Sequence, residues 1–127
     1  MPWITKLFFL LGGCGALLAV LLGAFGAHVL KGSLTAEQMV IYQTAFQYHF
    51  YHALGLLVIA LLMLHFPTSL LLQWSGWLMV VGIGLFSGSL YLLSISGISW
   101  LGAITPFGGT AFLIAWLFFM IAVLRAT

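Results

Sequence analysis

Residues 7–30, LFFLLGGCGALLAVLLGAFGAHVL, lie between Lys6 and Lys31 and contain no Lys, Arg, Asp or Glu. That apolar run exceeds the ~20 residues that carry a helix across a hydrocarbon core. A first membrane span is therefore expected over residues 3–29, with Trp3 and Lys6 at the interface and Lys31-Gly32-Ser33 ending it. Leu11-Gly12-Gly13-Cys14 inside this run resembles a lipoprotein cleavage box. The apolar stretch before Cys14 begins only at Leu7, shorter than the roughly 7–15 residues of a leader's apolar region. The run also continues past Cys14, so it reads as a span and not as a leader.

The rest of the chain repeats the pattern. Of its 127 residues, 65% are hydrophobic and 3% are charged, against about 25% charged in soluble domains. Such a surface matches hydrocarbon, not water. Thr35 and Gln38 fit a T-x-x-Q capping box, and Glu37 suits the first turn of the helix that follows. That helix meets no breaker before Pro67, which predicts a second span over residues 36–64. A third is expected over residues 74–96, between the Pro67-Thr68-Ser69 turn and Gly97. A fourth is expected over residues 106–125, with Thr105 as its cap and Pro106 in its first turn. Residues 98–104 then form a short apolar connection in which Trp100 suits the interface. The fold class is all-α integral membrane, a four-transmembrane-helix bundle with short loops in a single domain.

The charged side chains are Lys6, Lys31, Glu37 and Arg125. They form no basic patch, so nucleic acid is not an expected partner. Four spans place Lys6 and Arg125 on one side and Lys31, offset by Glu37, on the other. The positive-inside rule then puts both termini in the cytoplasm. The single Cys14 excludes an intramolecular disulfide.

Helices associate in lipid through small residues and interhelical hydrogen bonds. Gly15, Ala19, Gly23 and Ala27 recur at every fourth position of span one, and Gly84 and Gly88 share that spacing in span three. The first half of span two is crowded with polar and aromatic groups, among them Tyr42, Gln43, Gln47, Tyr48, His49 and His52. Such a helix belongs inside the bundle, at a subunit interface or beside water. Ser87, Ser89 and Tyr91 on span three complete the set of polar candidates. They read either as interhelical glue or as the lining of a cavity.

His49 and His52 stand at i and i+3, a spacing that suits two metal ligands or a proton relay. Antiparallel pairing would bring Cys14 to their depth as a third ligand. The competing reading is two hydrogen-bonded structural histidines. His28 stands near the start of span two and is expected to lock the first hairpin beside Glu37. No cofactor is predicted. There is no G-x-S-x-G elbow and no phosphate or dinucleotide motif.

Four ordered motifs together resemble one known family. They are Gly23-Ala24-Phe25-Gly26-Ala27-His28; Tyr42-Gln43-Thr44-Ala45 with Tyr48 and His52-Ala53-Leu54; Phe86-Ser87-Gly88-Ser89-Leu90-Tyr91; and Leu101-Gly102-Ala103-Ile104-Thr105-Pro106-Phe107-Gly108-Gly109. The resemblance covers nearly the whole chain and is to the small bacterial membrane proteins of domain of unknown function 423, related to eukaryotic transmembrane protein 256. It implies a four-span bundle in the bacterial inner membrane and no established activity. The family pattern includes the positions of His28 and His52 and often has glutamine at that of His49, which makes the histidine pair a local departure. The leading expectation is a non-enzymatic protein that packs against membrane lipids or a partner membrane protein. The alternatives are a homo-oligomeric channel or transporter lined by span two, and a histidine-based metal or haem site.

Overall fold

Each reversal of the chain is set by short-range hydrogen bonds. At the first, Gln38 N–H donates to Thr35 Oγ1 at 3.1 Å and Thr35 N–H donates to Gln38 Oε1 at 2.9 Å, the reciprocal pair of a capping box. At the second, Ser69 Oγ accepts from Leu72 N–H at 3.3 Å. At the third, Gly97 adopts φ 71°, a left-handed conformation that glycine takes without strain, and its N–H closes on Leu93 O at 2.9 Å.

The computed structural model describes residues 1–126. Helix α1 spans Trp3–His28. A 3-10 turn, Leu30–Gly32, leads to α2, Ala36–His65. Helix α3, Leu70–Ser96, contains a wide π turn at Ile83–Ser87. A second 3-10 turn, Ser99–Ala103, runs directly into α4, Thr105–Arg125. All four helical segments are long and apolar enough to cross a membrane. The protein is an all-α, four-transmembrane-helix bundle.

Two boundaries differ from the sequence reading. Helix α3 begins at Leu70 and not at Trp74, because Ser69 caps it immediately after the Pro67 turn. Thr105 does not cap α4. The preceding 3-10 turn already supplies carbonyl acceptors, with Ile104 N–H on Leu101 O and Phe107 N–H on Ile104 O, both at 3.1 Å. The Thr105 hydroxyl instead meets Ser89 Oγ on α3 at 2.6 Å.

The chain folds as two antiparallel hairpins, α1 with α2 and α3 with α4, joined where α2 lies along α3. Helix α2 is therefore the central element, and it is the least hydropathic of the four spans. Its two halves differ. Toward its C-terminus, Leu56, Ile59, Ala60 and Met63 form the dry core with Phe8, Leu72, Met79, Ala115 and Ala122. Toward its N-terminus, buried Tyr42, His49 and His52 face the neighbouring helices.

Small residues set the helix separations, though not all the predicted ones. On α1, a Cβ added at Gly15 would stand 3.1 Å from Ala53 Cβ and one at Gly23 3.4 Å from the Phe46 ring, while Ala19 is buried. The small-residue face of α1 is thus largely occupied by α2 within one chain. Gly84 and Gly88 have nothing within 4 Å of an added Cβ. Their face points away from the bundle, so their spacing does not mark the α3 packing surface. That surface uses Gly76, which faces the Phe8 ring, and Gly82, which faces the Phe112 ring. Across the second hairpin, a Cβ on Gly108 would come within 2.7 Å of Phe86 Cα.

Gly108→Ala therefore has to separate α3 from α4, since the obstacle is backbone. We expect it to destabilise the bundle by about 1–3 kcal/mol. Gly88→Ala meets nothing and should be neutral or stabilising by up to about 1 kcal/mol, the gain in helix propensity. Thermal unfolding in detergent micelles checks both. Equal effects of the two substitutions would contradict the packing described.

Candidate functional site

The polar half of α2 distributes its side chains among three partner helices. Tyr42 is buried, and its hydroxyl donates to the Leu22 carbonyl of α1. A helical carbonyl already holds one intrahelical bond, and its second lone pair accepts this one. Gly26 makes room for the Tyr42 ring. This contact locks the first hairpin, whereas His28 is exposed and, among the described residues, makes no side-chain hydrogen bond. Glu37 is exposed in the first turn of α2, as a dipole-stabilising acid would be.

His49 turns toward α3. Its Nδ1 lies 2.9 Å from the Tyr91 hydroxyl, and the two rings meet edge to face at 5.9 Å. Tyr91 also packs edge-on against Tyr42 at 5.5 Å, so Tyr42, Tyr91 and His49 form one aromatic cluster joining α1, α2 and α3. The remaining nitrogen, His49 Nε2, faces α1 across Gly15, where an added Cβ would stand 3.9 Å away.

His52 turns toward α4. Its Nδ1 is 2.7 Å from the Tyr48 carbonyl, and a carbonyl can only accept, so Nδ1 carries the proton. Trp116 Nε1–H donates to Nε2 at 3.1 Å. The two bonds fix one neutral tautomer. The imidazole also stacks on Phe112 with centroids 3.5 Å apart and planes 10° apart. Phe112 in turn packs on Phe86, and Phe86 on Tyr48.

This geometry bears on the metal reading. Both ring nitrogens of His52 are engaged, so ligation would break a bond to Tyr48 or to Trp116. Cys14 is exposed, because Gly15 and not its neighbour lies over His49. Among the described residues no group of three or more His, Cys, Asp or Glu side chains converges on one point.

The other polar candidates separate into two classes. Gln43, Gln47 and Tyr51 lie at i, i+4 and i+8 on one exposed face of α2, and Tyr48 is partly exposed, with its ring against Phe86. Ser89 is buried, bonding Phe86 O at 2.9 Å besides Thr105. Ser87 is buried at the end of the π turn, and its hydroxyl has no hydrogen-bond partner; the Thr5 hydroxyl on α1 shares that condition. Trp116 and Phe112 were not singled out from the sequence. A tryptophan in mid-span, far from the interface where its N–H would meet water, was the available signal.

Residues 22–109 match the family model described as a protein of unknown function, DUF423. The matched region contains Tyr42, His49, His52 and Tyr91 and ends before Phe112 and Trp116. The UPF0382 membrane protein YwdK of Bacillus subtilis is 51% identical over 120 residues, 94% of this chain and 98% of that protein. A UPF0382 membrane protein of Staphylococcus epidermidis is 49% identical over 120 residues, 94% of this chain and 97% of its own length. One of Staphylococcus saprophyticus is 43% identical over 120 residues, 94% of this chain and 98% of its own length. No solved structure matches.

The Trp116–His52 bond is open to a double-mutant cycle. We expect Trp116→Phe and His52→Ala to couple by about 0.5–1.5 kcal/mol, the range of interhelical hydrogen bonds in membranes. Unfolding free energies of the two single variants, the double variant and the natural chain give the coupling directly. Strict additivity would mean that the bond contributes nothing.

Proposed function

We infer that this chain, which belongs to the DUF423 family of membrane proteins, is non-enzymatic and works by packing, as an accessory subunit or as support for envelope integrity. The observation that carries this reading is the state of His52. A catalytic or relay histidine needs a ring nitrogen open to substrate or to the next proton carrier. Both nitrogens of His52 are held by the protein, one face of the ring is covered by Phe112, and the residue is buried. Tyr42, Ser75 and Ser89 likewise direct their hydroxyls to backbone carbonyls.

The docking face favoured by this reading is the outer groove between α1 and α2. It has a volume of ≈ 390 Å³ and is floored by Ala19, Gly23, Ala24, Phe46 and Phe50, with Gln47 and Tyr51 at its edge. Ala24, exposed beside the part of the small-residue face that α2 occupies, lets a further transmembrane helix approach closely, and glutamine offers it both a donor and an acceptor. A second reading, a homo-oligomeric channel, draws on the same exposed Gln43, Gln47 and Tyr51. In an oligomer these polar faces could meet around a common axis.

The bilayer assigned here is the bacterial inner membrane, with both termini cytoplasmic. Lys6 and Arg125 lie at one rim, and Lys31 and Glu37 at the other. A fluorescent protein fused after Thr127 should fluoresce, and alkaline phosphatase at the same point should be inactive. The reverse pattern would invert the topology.

The functional test is complementation. In a strain lacking the chain, we expect impaired resistance to membrane stress, restored fully by His49→Gln. The same variant purified into liposomes should give no solute flux above empty vesicles. Accumulation of one defined solute in the deletion strain, with membrane robustness unchanged, would count against the packing role. Flux abolished by Gln47→Leu would favour the channel.

A further inference from the structure

The rim opposite Lys31 and Glu37 holds a cavity that the histidine cluster does not touch. It opens between the α2–α3 turn and the end of α4 and has a volume of ≈ 480 Å³. Its polar lining is His65, Thr68, Ser69 and Arg125. A second cavity, of ≈ 200 Å³, shares Phe66, Leu72, Ala122 and Ala126 with the first and is completed by Leu62 and Val123. The two form one depression, with a cationic, hydroxyl-bearing mouth and an apolar tail running between α2 and α4.

Charge and depth narrow the ligand. The only acidic side chain, Glu37, stands at the other end of α2, so no acidic side chain competes for Arg125. A guanidinium presents paired donors that match phosphate oxygens. The mouth also receives the first turn of α3, where the N–H groups of Leu70 and Leu71 have no intrahelical acceptor. Trp3 and Trp74, exposed near the same ends of α1 and α3, set this rim at headgroup level. A free anion would use the mouth and leave the apolar tail wet. An amphiphile uses both.

We propose that this depression binds the phosphate of an anionic phospholipid, with the headgroup against Arg125, His65 and Thr68 and one acyl chain in the Leu62–Val123 crevice. The proposal stands on the cavity alone. A chain that conducted solutes would carry the same rim site.

Native mass spectrometry of the full chain, released from nanodiscs of equal phosphatidylglycerol and phosphatidylcholine, tests it. The expected result is one phosphatidylglycerol retained per chain. Arg125→Gln should lower that retention roughly tenfold, the effect of losing one charge-assisted hydrogen bond. Ala126→Trp, just beyond the end of α4, should do the same by filling the wall shared by the two cavities. Lys31→Gln at the opposite rim should change nothing. Circular dichroism establishes that each variant is helical, and either site variant alone suffices. Retention of both lipids alike, or undiminished phosphatidylglycerol in a folded site variant, would overturn the proposal. Displacement of the lipid by millimolar inorganic phosphate would show that the site takes a free anion, and the lipid assignment would fail.

Discussion

His52 holds α4 to α2 with one ring nitrogen and one ring face, while its other nitrogen fixes the ring to α2 itself. Trp116 donates to Nε2, the Tyr48 carbonyl accepts from Nδ1, and Phe112 covers the plane. In hydrocarbon the indole N–H and the imidazole nitrogens would otherwise lack partners, and an unsatisfied group there costs roughly several kcal/mol. The arrangement therefore selects one relative placement of the two helices. Apolar packing alone would tolerate a small rotation of α4 about its axis. The indole N–H does not, because only one rotation brings it to the imidazole. His49 applies the same restriction to α3 through Tyr91, and Tyr42 applies it to α1 through Leu22. Three residues of one helix thus orient the other three.

The bundle is layered along its long axis. One half is an apolar core of Phe8, Leu56, Ile59, Met63 and Met79, where association depends on close contact, glycine clearance and the buried Ser75–Ala115 hydrogen bond. The other half is aromatic and hydrogen-bonded. The charged groups, Lys6, Lys31, Glu37 and Arg125, are left to the two ends. This layering makes α2 at once the least apolar and the most buried of the spans. A helix surrounded by protein can carry groups that a lipid-facing helix cannot.

Much of this was legible in the sequence, for definable reasons. The Thr35–Gln38 box lies within four residues, so its two bonds follow from spacing alone. The four spans follow from uninterrupted apolar length. The unusual polarity of the first half of α2 marked it as protein-facing. What the sequence withheld was pairing. Gly84 and Gly88 carry the spacing of a packing face, yet the stripe that meets α4 and α1 runs through Gly76 and Gly82. Spacing describes one helix and is silent about where its partner lies. Tyr42 was visible as a polar candidate, but its acceptor is a backbone carbonyl, which no residue type advertises. Thr105 carries the identity of a cap, but the 3-10 turn ahead of it frees its hydroxyl for Ser89.

The wide turn at Ile83–Ser87 has a consequence for how the third helix could vary. A π turn holds one residue more than the α-helical path it replaces. If the turn tightened to regular α-helix with no residue removed, everything beyond it would swing by about 100° around the axis. Ser89, Tyr91 and Ser94 would leave their places together, while Leu72, Ser75 and Met79 before the turn would keep theirs. The two halves of α3 are thus phased separately. One half is keyed to the dry core and the other to the histidines, and the turn between them is the joint where the two phases meet.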